Sequence, residues 1–391
     1  MSSETSLHPK SLSKANSAPP YWVRFFETLT YFLKLGTVGF GGPLSLVAMM
    51  QKELIEDRHW ISQDEFKQAF VLIKSMPGPV AFQTAVFLGR KRAGRLGGLA
   101  AAMAIILPAF LMMLVYGYYY DLIKSNRSAQ LFLAGMQVSA VVAILFGLKS
   151  FFLPYVRRID YWLILISAAL LFYYQVLPEP VLIIGGAALW AARRKLFSSN
   201  GKSGGVALSL FVMDPKFVDL VLVCAKAGAI VFGTGLAIVP ILEHDFVSRL
   251  HWMTHAEFMD AVAIGQITPG PVMISATFIG FKIFGIKGAL AATIAVFGPS
   301  FFHMMTWFNS AIQFLSRQKW IQEFVFAATS IIMGTLAVST VAIMWPWHVT
   351  PWYYALFALI FALAANFKWP AWLLIPTGGL IAVVVGLFGL V

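Results

Sequence analysis

Six ionisable side chains lie in or beside apolar stretches of the sequence, where a charge is costly and is by default functional. Lys34 and Lys226 each precede a glycine by two residues and a Phe-Gly pair by six. An ammonium at such a position could hold an oxyanion, or it could snorkel to the lipid headgroups from a helix end. Four carboxylates are candidates for reversible protonation: Glu53, Glu65, Asp245 and Glu257.

Two of these acids also have a structural interpretation. Ser62 stands three residues before Glu65, and Thr254 stands three residues before Glu257. This is the spacing of a capping box, in which a hydroxyl and a carboxylate satisfy free N–H groups at a helix N-terminus. Reversible protonation and helix capping are both open for these residues at the sequence level.

Glycine and proline interrupt the apolar stretches that follow the lysines. Proline removes a backbone donor and glycine adds conformational freedom, so Pro-Gly-Pro stops a helix and a new one can begin at the second proline. Helices restarted at Pro43, Pro79, Gly235 and Pro271 would direct free N–H groups and positive dipole ends at the breaks. We call these glycine and proline interruptions the breaks, and we predict an anion-binding site where the four of them converge. Its backbone residues are Gly39, Phe40, Gly41, Gly42, Pro43, Met76, Pro77, Gly78, Pro79, Phe232, Gly233, Thr234, Gly235, Thr268, Pro269, Gly270 and Pro271.

Polar side chains just beyond two of the breaks could hydrogen-bond the same anion. They are Gln83, Thr84, Ser275 and Thr277. Small polar residues also mediate helix packing in membranes, so a structural role is equally compatible with their positions.

The lysines and the breaks occur twice because the sequence contains an internal repeat. Residues 32–79 align without a gap with residues 224–271, at an offset of 192. One residue is then dropped, and the match resumes at an offset of 191 as far as Pro108 and Pro299. A duplicated, Gly/Pro-interrupted apolar half is typical of secondary transporters, whose substrate site lies where the repeats meet.

The composition indicates a membrane protein. The chain is 59% hydrophobic and only 12% charged, with a mean hydropathy of +0.77, whereas soluble domains carry about 25% charged residues. Its apolar runs are long enough to cross a hydrocarbon core of about 30 Å. We therefore predict an all-α polytopic membrane protein, with two homologous six-element halves that contain Gly/Pro-broken helices or re-entrant hairpins.

Several other functions are excluded or disfavoured. The single cysteine, Cys224, rules out an internal disulfide or a thiolate metal cluster, and the histidines lack metal-ligand spacing, so no metal and no cofactor are predicted. The net charge of +12 is attributed to loops that face anionic lipid, and no nucleic-acid partner is expected. No nucleophile elbow, phosphate-cradling loop or dinucleotide fingerprint is present, which argues against an enzyme.

The predicted organisation has four parts. Residues 1–20 form a disordered cytoplasmic tail, 21–195 the first repeat, 196–213 a basic cytoplasmic linker and 214–391 the second repeat. Basic clusters place the N-terminal tail in the cytoplasm. Six spanning elements in each half would make the repeats parallel, whereas one re-entrant element would make them inverted. The sequence leaves both arrangements open.

Two motifs resemble the signature of the chromate ion transporter family. They are Lys34-Leu35-Gly36 continuing through Phe40-Gly41-Gly42-Pro43, and Met76-Pro77-Gly78-Pro79 with Gln83-Thr84. The resemblance covers nearly all of residues 20–391 and is that of a long-chain, two-domain member. It implies a multi-pass protein of the cell inner membrane that exports chromate, confers chromate resistance and is driven by the proton gradient. It also implies halves of opposite orientation.

The substrate is less constrained by the residues themselves. Chromate and sulfate share charge and tetrahedral shape, so the expected partners are a chromate-like or sulfate-like oxyanion and the lipid bilayer, and a homodimer is left open. A sulfate importer or an anion channel is the alternative function. Thr234-Gly235 replaces Gly42-Pro43, and Thr268 replaces Met76, so we expect one half of the site to be more polar than the other.

Overall fold

The computed structural model describes residues 19–40, 42–74, 76–152, 156–174, 176–177, 179–192, 214–233, 238–308, 319–344, 347, 351–367 and 369–388. Most of the predicted tail and the linker 196–213 lie outside these residues. The described chain is helical almost throughout, which confirms the all-α class. Its helices are α1 (Tyr21–Val38), α2 (Pro43–Met50), α3 (Gln63–Lys74), α4 (Val80–Ser125), α5 (Arg127–Phe152), α6 (Ile159–Tyr173), α7 (Glu179–Ala192), α8 (Pro215–Ile230), α9 (Ile238–Glu243), α10 (His255–Ile267), α11 (Ser275–Met305), α12 (Lys319–Met344), α13 (Trp352–Phe367) and α14 (Ala371–Leu387).

The repeat in the sequence is also a repeat of backbone conformations. In each half a long helix ends at a break, and a short helix follows that continues as a π-helical segment, at Gln51–Asp57 or His244–Arg249. The second residue beyond each segment is a histidine in the left-handed region, with φ of 50° at His59 and 52° at His251. Because such conformations are uncommon for residues other than glycine, their recurrence at the offset of 192 supports two homologous halves.

The prolines beside the breaks occupy two different positions. Pro43 begins α2, as predicted. Pro79 and Pro271 instead precede their helices, with extended ψ angles of 114° and 128°. The prediction that a helix begins at Pro79 is therefore wrong by one residue, because this proline continues the extended segment of its Pro-Gly-Pro run. The predicted restart at Pro271 is also wrong, because a 3₁₀ turn, Val272–Ile274, follows Pro271 and α11 begins only at Ser275. The predicted restart at Gly235 lies outside the described residues.

α4 and α11 each bend sharply shortly after the break. The bends lie at Gly94 and Gly285, where φ is 67° and 60°, a conformation that glycine adopts at little cost. In α4 the chain folds back closely enough that a β-carbon on Gly89 would overlap the carbonyl oxygen of Gly97. Each element is therefore a short helix that leaves the break, followed by a longer helix.

The two halves interlock. α5 of the first half packs along α14 and contacts α13, whereas α12 of the second half packs along α6 and α7. The backbones of α5 and α14 come so close that a β-carbon on Gly135 would overlap the carbonyl oxygen of Gly378, an approach that small residues permit in membranes. α4 and α11 also pack against each other. Each half therefore completes the packing of the other.

Three helical segments are long and apolar enough to cross a membrane, judged by length and composition among the described residues: Val80–Ser125, Arg127–Phe146 and Val272–Met305. Shorter apolar helices accompany them at Ile159–Tyr173, Val181–Ala191, Phe326–Thr335, Trp352–Phe367 and Ala371–Leu387. Large apolar side chains remain exposed on these helices, among them Val115 and Ile166, as expected where a surface contacts lipid rather than water. The fold is that of a multi-pass membrane protein.

Candidate functional site

The Pro-Gly-Pro break of the first half lies beside the Phe-Gly break of the second half. Gly78–Pro79 (β1) and Phe232–Gly233 (β2) form a two-residue parallel bridge, with Gly78 opposite Phe232. The N–H of Gly78 donates a hydrogen bond to the carbonyl oxygen of Val231. This pairing satisfies backbone groups that would otherwise be costly in an apolar environment.

The other two breaks meet in the equivalent way. The N–H of Gly270 donates to the carbonyl oxygen of Gly39, with an N···O distance of 3.2 Å. Gly270 duplicates Gly78, and Val231 duplicates Gly39, each at the offset of 192. The two hydrogen bonds are thus one contact made twice, once in each direction between the halves. We refer to the region of these four residues as the break crossing.

The crossing also determines which backbone donors are available to an anion. The amides of Gly78 and Gly270 are used in the crossing itself, and the neighbouring prolines have no N–H. The first turn of α4 retains the amides of Val80, Ala81 and Phe82, which have no acceptor within the helix. No side chain from the described residues caps this N-terminus. It is therefore a helix end with unsatisfied donors.

Two buried side chains with unpaired polar atoms lie over Gly78. A β-carbon on Gly78 would overlap Oγ of Ser300 and Nε2 of Gln83, and both side chains are fully buried. Gln83 Nε2 donates to the carbonyl oxygen of Pro77 at 2.5 Å. Ser300 Oγ and Gln83 Oε1 have no hydrogen-bond partner among the described residues. Unpaired buried polar atoms are rare in folded proteins, and two of them beside an uncapped helix end indicate a ligand site.

The equivalent space over Gly270 has no polar side-chain atom within 4 Å among the described residues. A β-carbon there would lie 3.4 Å from the carbonyl oxygen of Ile105 and 3.8 Å from Cβ of Ala109. Ala109 follows Pro108 as Ser300 follows Pro299, so the two residues are duplicates. The two breaks thus have equivalent backbones and different surroundings, and the polar surroundings belong to Gly78.

The predicted hydroxyl ligands are mostly engaged within their own helices. Thr84 donates to Val80 at 2.7 Å, and Ser275 donates to Val272 at 3.0 Å. Thr268 Oγ1 donates to carbonyl oxygens one turn earlier. Such bonds are common for Ser and Thr in helices, and they leave these side chains as acceptors rather than donors. Gly41, Thr234 and Gly235 lie outside the described residues.

The duplicated lysines have different environments. Lys34 is exposed on α1 and makes no ion pair with a described residue. Lys226 pairs with Asp245, whose side chain is 1% exposed and also accepts from Arg249 Nε at 2.9 Å. In the first half the corresponding acid, Glu53, pairs instead with Arg58 at 2.5 Å in an exposed position. Lys226 is thus neutralised by a buried carboxylate, whereas Lys34 remains available.

Glu65 and Glu257 have the same partners in both halves. Glu65 lies 2.5 Å from Lys91, and Glu257 lies 3.7 Å from the duplicate lysine, Lys282. The capping box predicted for Glu257 is confirmed, since both of its reciprocal bonds with Thr254 are present. Burial raises the pKa of Glu257, but the hydrogen bonds from Thr254 and the positive charge of Lys282 outweigh burial and lower the pKa below its ordinary value.

Ser300 is the site residue that the sequence reasoning missed. It lies far along the chain from any break, on the part of α11 that follows the bend. A signal was nevertheless present, because Ser300 is polar at a position whose duplicate, Ala109, is apolar. Comparing the two repeats for differences in polarity would have found it.

The interlocked helical halves and the broken segments that meet between them define the class of protein. This arrangement is that of a duplicated membrane transporter, in which interrupted helices of the two repeats meet at the interface between them.

The chain belongs to the chromate transporter family, whose family model matches residues 26–191 and 218–387. It is 36% identical to a probable chromate transport protein of Synechococcus elongatus, over 69% of this chain and 72% of that protein. It is 31% identical to a chromate transport protein of Cupriavidus metallidurans, over 73% and 74% of the two chains. It is 27% identical to one of Pseudomonas aeruginosa, over 87% and 86%. No solved structure matches the chain.

Proposed function

We propose that this protein exports chromate from the cytoplasm across the inner membrane, driven by the proton gradient, and thereby confers chromate resistance. The observation that carries the proposal is the break crossing, in which the backbone bond from Gly78 to Val231 is repeated from Gly270 to Gly39. A contact made reciprocally between two repeats can open on one side while it closes on the other, as alternating access requires.

The anion would bind at the start of α4. The free amides of the first helical turn and the positive end of the helix dipole favour an oxyanion there. Ser300 and the second hydrogen of the Gln83 amide would add two donors from opposite halves, and Lys34 would contribute long-range positive charge. Such a site needs no arginine, and it releases its ligand when the halves separate.

The choice of chromate rests on the family and on the names of the relatives, rather than on geometry. A tetrahedral dianion of either chromate or sulfate satisfies the same amide and hydroxyl donors. The orientation, with the N-terminal tail in the cytoplasm, rests on the basic clusters in the sequence. Glu53, Glu65, Asp245 and Glu257 are candidates for proton coupling, although each of them has a described ion-pair partner.

Flux measurements in inverted membrane vesicles test the proposal. Labelled chromate should accumulate when a proton gradient is imposed, and much less when the gradient is dissipated. Sulfate, added as a competitor, should reduce this uptake, because it satisfies the same donors. Sulfate flux in the opposite direction, with no chromate flux, would favour the importer function instead. Chromate flux that is indifferent to the gradient would establish a channel.

A further inference from the structure

A second buried carboxylate, Asp260 of α10, lies at the interface between the halves. Its side chain is 1% exposed. Tyr120 of α4 donates to Oδ2 at 2.7 Å, and Gln137 of α5 donates to Oδ1 at 2.8 Å. Both donors come from the first half, whereas Asp260 belongs to the second. Any change at this carboxylate therefore acts on contacts between the halves.

The surroundings of Asp260 differ from those of the equally buried Asp245. Asp245 contacts two cations, Lys226 and Arg249, which is the arrangement of a structural ion pair. Asp260 accepts from two neutral donors and has one cation at ion-pair distance, Lys124 at 3.7 Å. Its ionised form is therefore less compensated than that of Asp245, and burial makes it less costly once it binds a proton.

A hydrogen-bonded chain connects Asp260 to the surface. Lys124 Nζ donates to the hydroxyl of Tyr120 at 2.8 Å, and that hydroxyl donates to Asp260. The side chain of Lys124 is 36% exposed. A proton can pass from the Tyr120 hydroxyl to Asp260 while Tyr120 takes one from the Lys124 ammonium. Water then restores the proton on Lys124, so that the net change is one proton moved from solvent to Asp260.

Other charged and titratable groups surround this chain. Lys282 lies 4.8 Å from the centre of the Tyr120 ring and pairs with Asp121 at 2.8 Å and with Glu257 at 3.7 Å. Tyr116 of α4 and Tyr353 of α13 are close enough to sense the charge of Asp260. None of these groups contacts the carboxylate directly among the described hydrogen bonds and ion pairs. Proton binding at Asp260 would therefore weaken its hydrogen bonds with Tyr120 and Gln137 and its ion pair with Lys124.

Asp260 is also connected to the break crossing through the backbone of its own helix. α10 runs from its capping box to Ile267 and leads directly into the Pro-Gly-Pro segment that contains Gly270. The duplicate of Asp260 in the first half is Gln68, which is exposed and does not titrate. The repeat therefore provides one protonation site of this kind rather than two.

We propose that Asp260 is the proton-binding residue of the transport cycle and is loaded from solvent through Lys124 and Tyr120. The proposal rests on the proposed function, because it assumes gradient-driven transport. In the proton-free state, Asp260 holds α10 against α4 and α5 through Tyr120 and Gln137. In the protonated state, the carboxylate is a weaker acceptor, so α10 can move and carry its half of the break crossing with it.

Purified full-length protein in liposomes separates coupling from translocation. Exchange of labelled for unlabelled chromate, with no pH gradient, measures binding and translocation. Accumulation under an imposed pH gradient measures coupling. Asp260→Asn should retain exchange and lose gradient-driven accumulation by at least about tenfold, within the range of coupling between sites. Asp121→Asn, which removes an acid that is 86% exposed, should retain both activities.

Three results separate the hypotheses. Absence of chromate exchange by the unmodified protein would refute the proposed function together with its proton site. Full gradient-driven accumulation by Asp260→Asn would overturn the proton site alone. If Asp260→Asn does not insert into membranes, Tyr120→Phe decides the matter, since it keeps the ring and removes the relaying hydroxyl. Unchanged accumulation by Tyr120→Phe would then overturn the proposal, and a loss with exchange retained would support it.

Discussion

In the first half of the molecule Gly78 lies under Ser300 and Gln83, whereas in the second half its duplicate Gly270 lies under Ile105 and Ala109. The backbones of the two breaks and their hydrogen bonds across the halves are equivalent. Duplication has thus kept the geometry that the two breaks need in order to meet, while the side chains around them have diverged. We therefore expect pairing of the breaks to be a structural requirement, and we expect anion recognition to be concentrated at Gly78.

The duplicated lysines and acids also differ between the two halves. Lys226 and Asp245 form a buried pair, whereas the duplicate residues Lys34 and Glu53 do not contact each other in the described structure, and Glu53 bonds to exposed Arg58 instead. The first half therefore keeps an available cation on α1, the helix that leads to Gly39 and its contact with Gly270. The second half uses the equivalent charges to hold its helices together.

Alanine at the two glycines gives the strongest test of the comparison. Each β-carbon would be placed at positive φ, at a cost of about 1–3 kcal/mol. Only Gly78→Ala would also overlap Ser300 and Gln83. We expect chromate flux in inverted vesicles to fall by about a hundredfold for Gly78→Ala, as for other small displacements at a site, and to fall less for Gly270→Ala. Equal fluxes at equal abundance would show that the two breaks are functionally equivalent.

The buried and exposed acids should differ in their contributions to stability. Asp245→Asn leaves Lys226 and Arg249 without a carboxylate, and because these cations are partly exposed it is expected to cost about 1–3 kcal/mol. Glu53→Gln breaks an exposed pair and should cost about 0–1 kcal/mol. Thermal unfolding of the purified variants in detergent measures both. Similar unfolding temperatures for the two variants would mean that the buried pair is not structural.

Ser300→Ala converts the surroundings of Gly78 towards those of Gly270. Loss of one hydrogen bond to a charged ligand costs about 1.5–3 kcal/mol, so chromate affinity should fall by roughly tenfold to a hundredfold. Ser139→Ala is the matched control, because Ser139 is also fully buried and its hydroxyl bonds to Gly135 within α5. Titration of purified protein with chromate gives both affinities. An unchanged affinity for Ser300→Ala would remove Ser300 from the site.

Variants of the two helix caps should show the smallest difference in unfolding free energy between the halves. Thr254→Ala removes a complete capping box and should cost about 1 kcal/mol of unfolding free energy. Ser62→Ala should cost about half as much, because Glu65 donates its N–H to Ser62 at 3.2 Å but directs its carboxylate to Lys91. Denaturant unfolding monitored by tryptophan fluorescence would compare them. A larger loss for Ser62→Ala would reverse the expected order.

Much of the fold could be predicted from local features of the chain. α1 ends at Val38, directly before the predicted break at Gly39, because glycine and proline act on the backbone where they occur. Pro43 illustrates this success. The error of one residue at Pro79 has a tertiary cause, because the pairing of Gly78 with Val231 keeps the segment extended for one residue longer.

The sequence by itself determined that the chain is a duplicated membrane protein with two breaks in each half, since composition, periodicity and repeated residues carry that information directly. Tertiary structure decided which breaks meet, that the Gly78 and Gly270 amides are used in the crossing, and that Ser300 rather than Thr268 lies over a break. It also decided that Asp245 contacts two cations, whereas Asp260 accepts from Tyr120 and Gln137 and has a single described cation, Lys124, at 3.7 Å. These outcomes depend on contacts between residues far apart in the chain, in two halves that complete each other's packing.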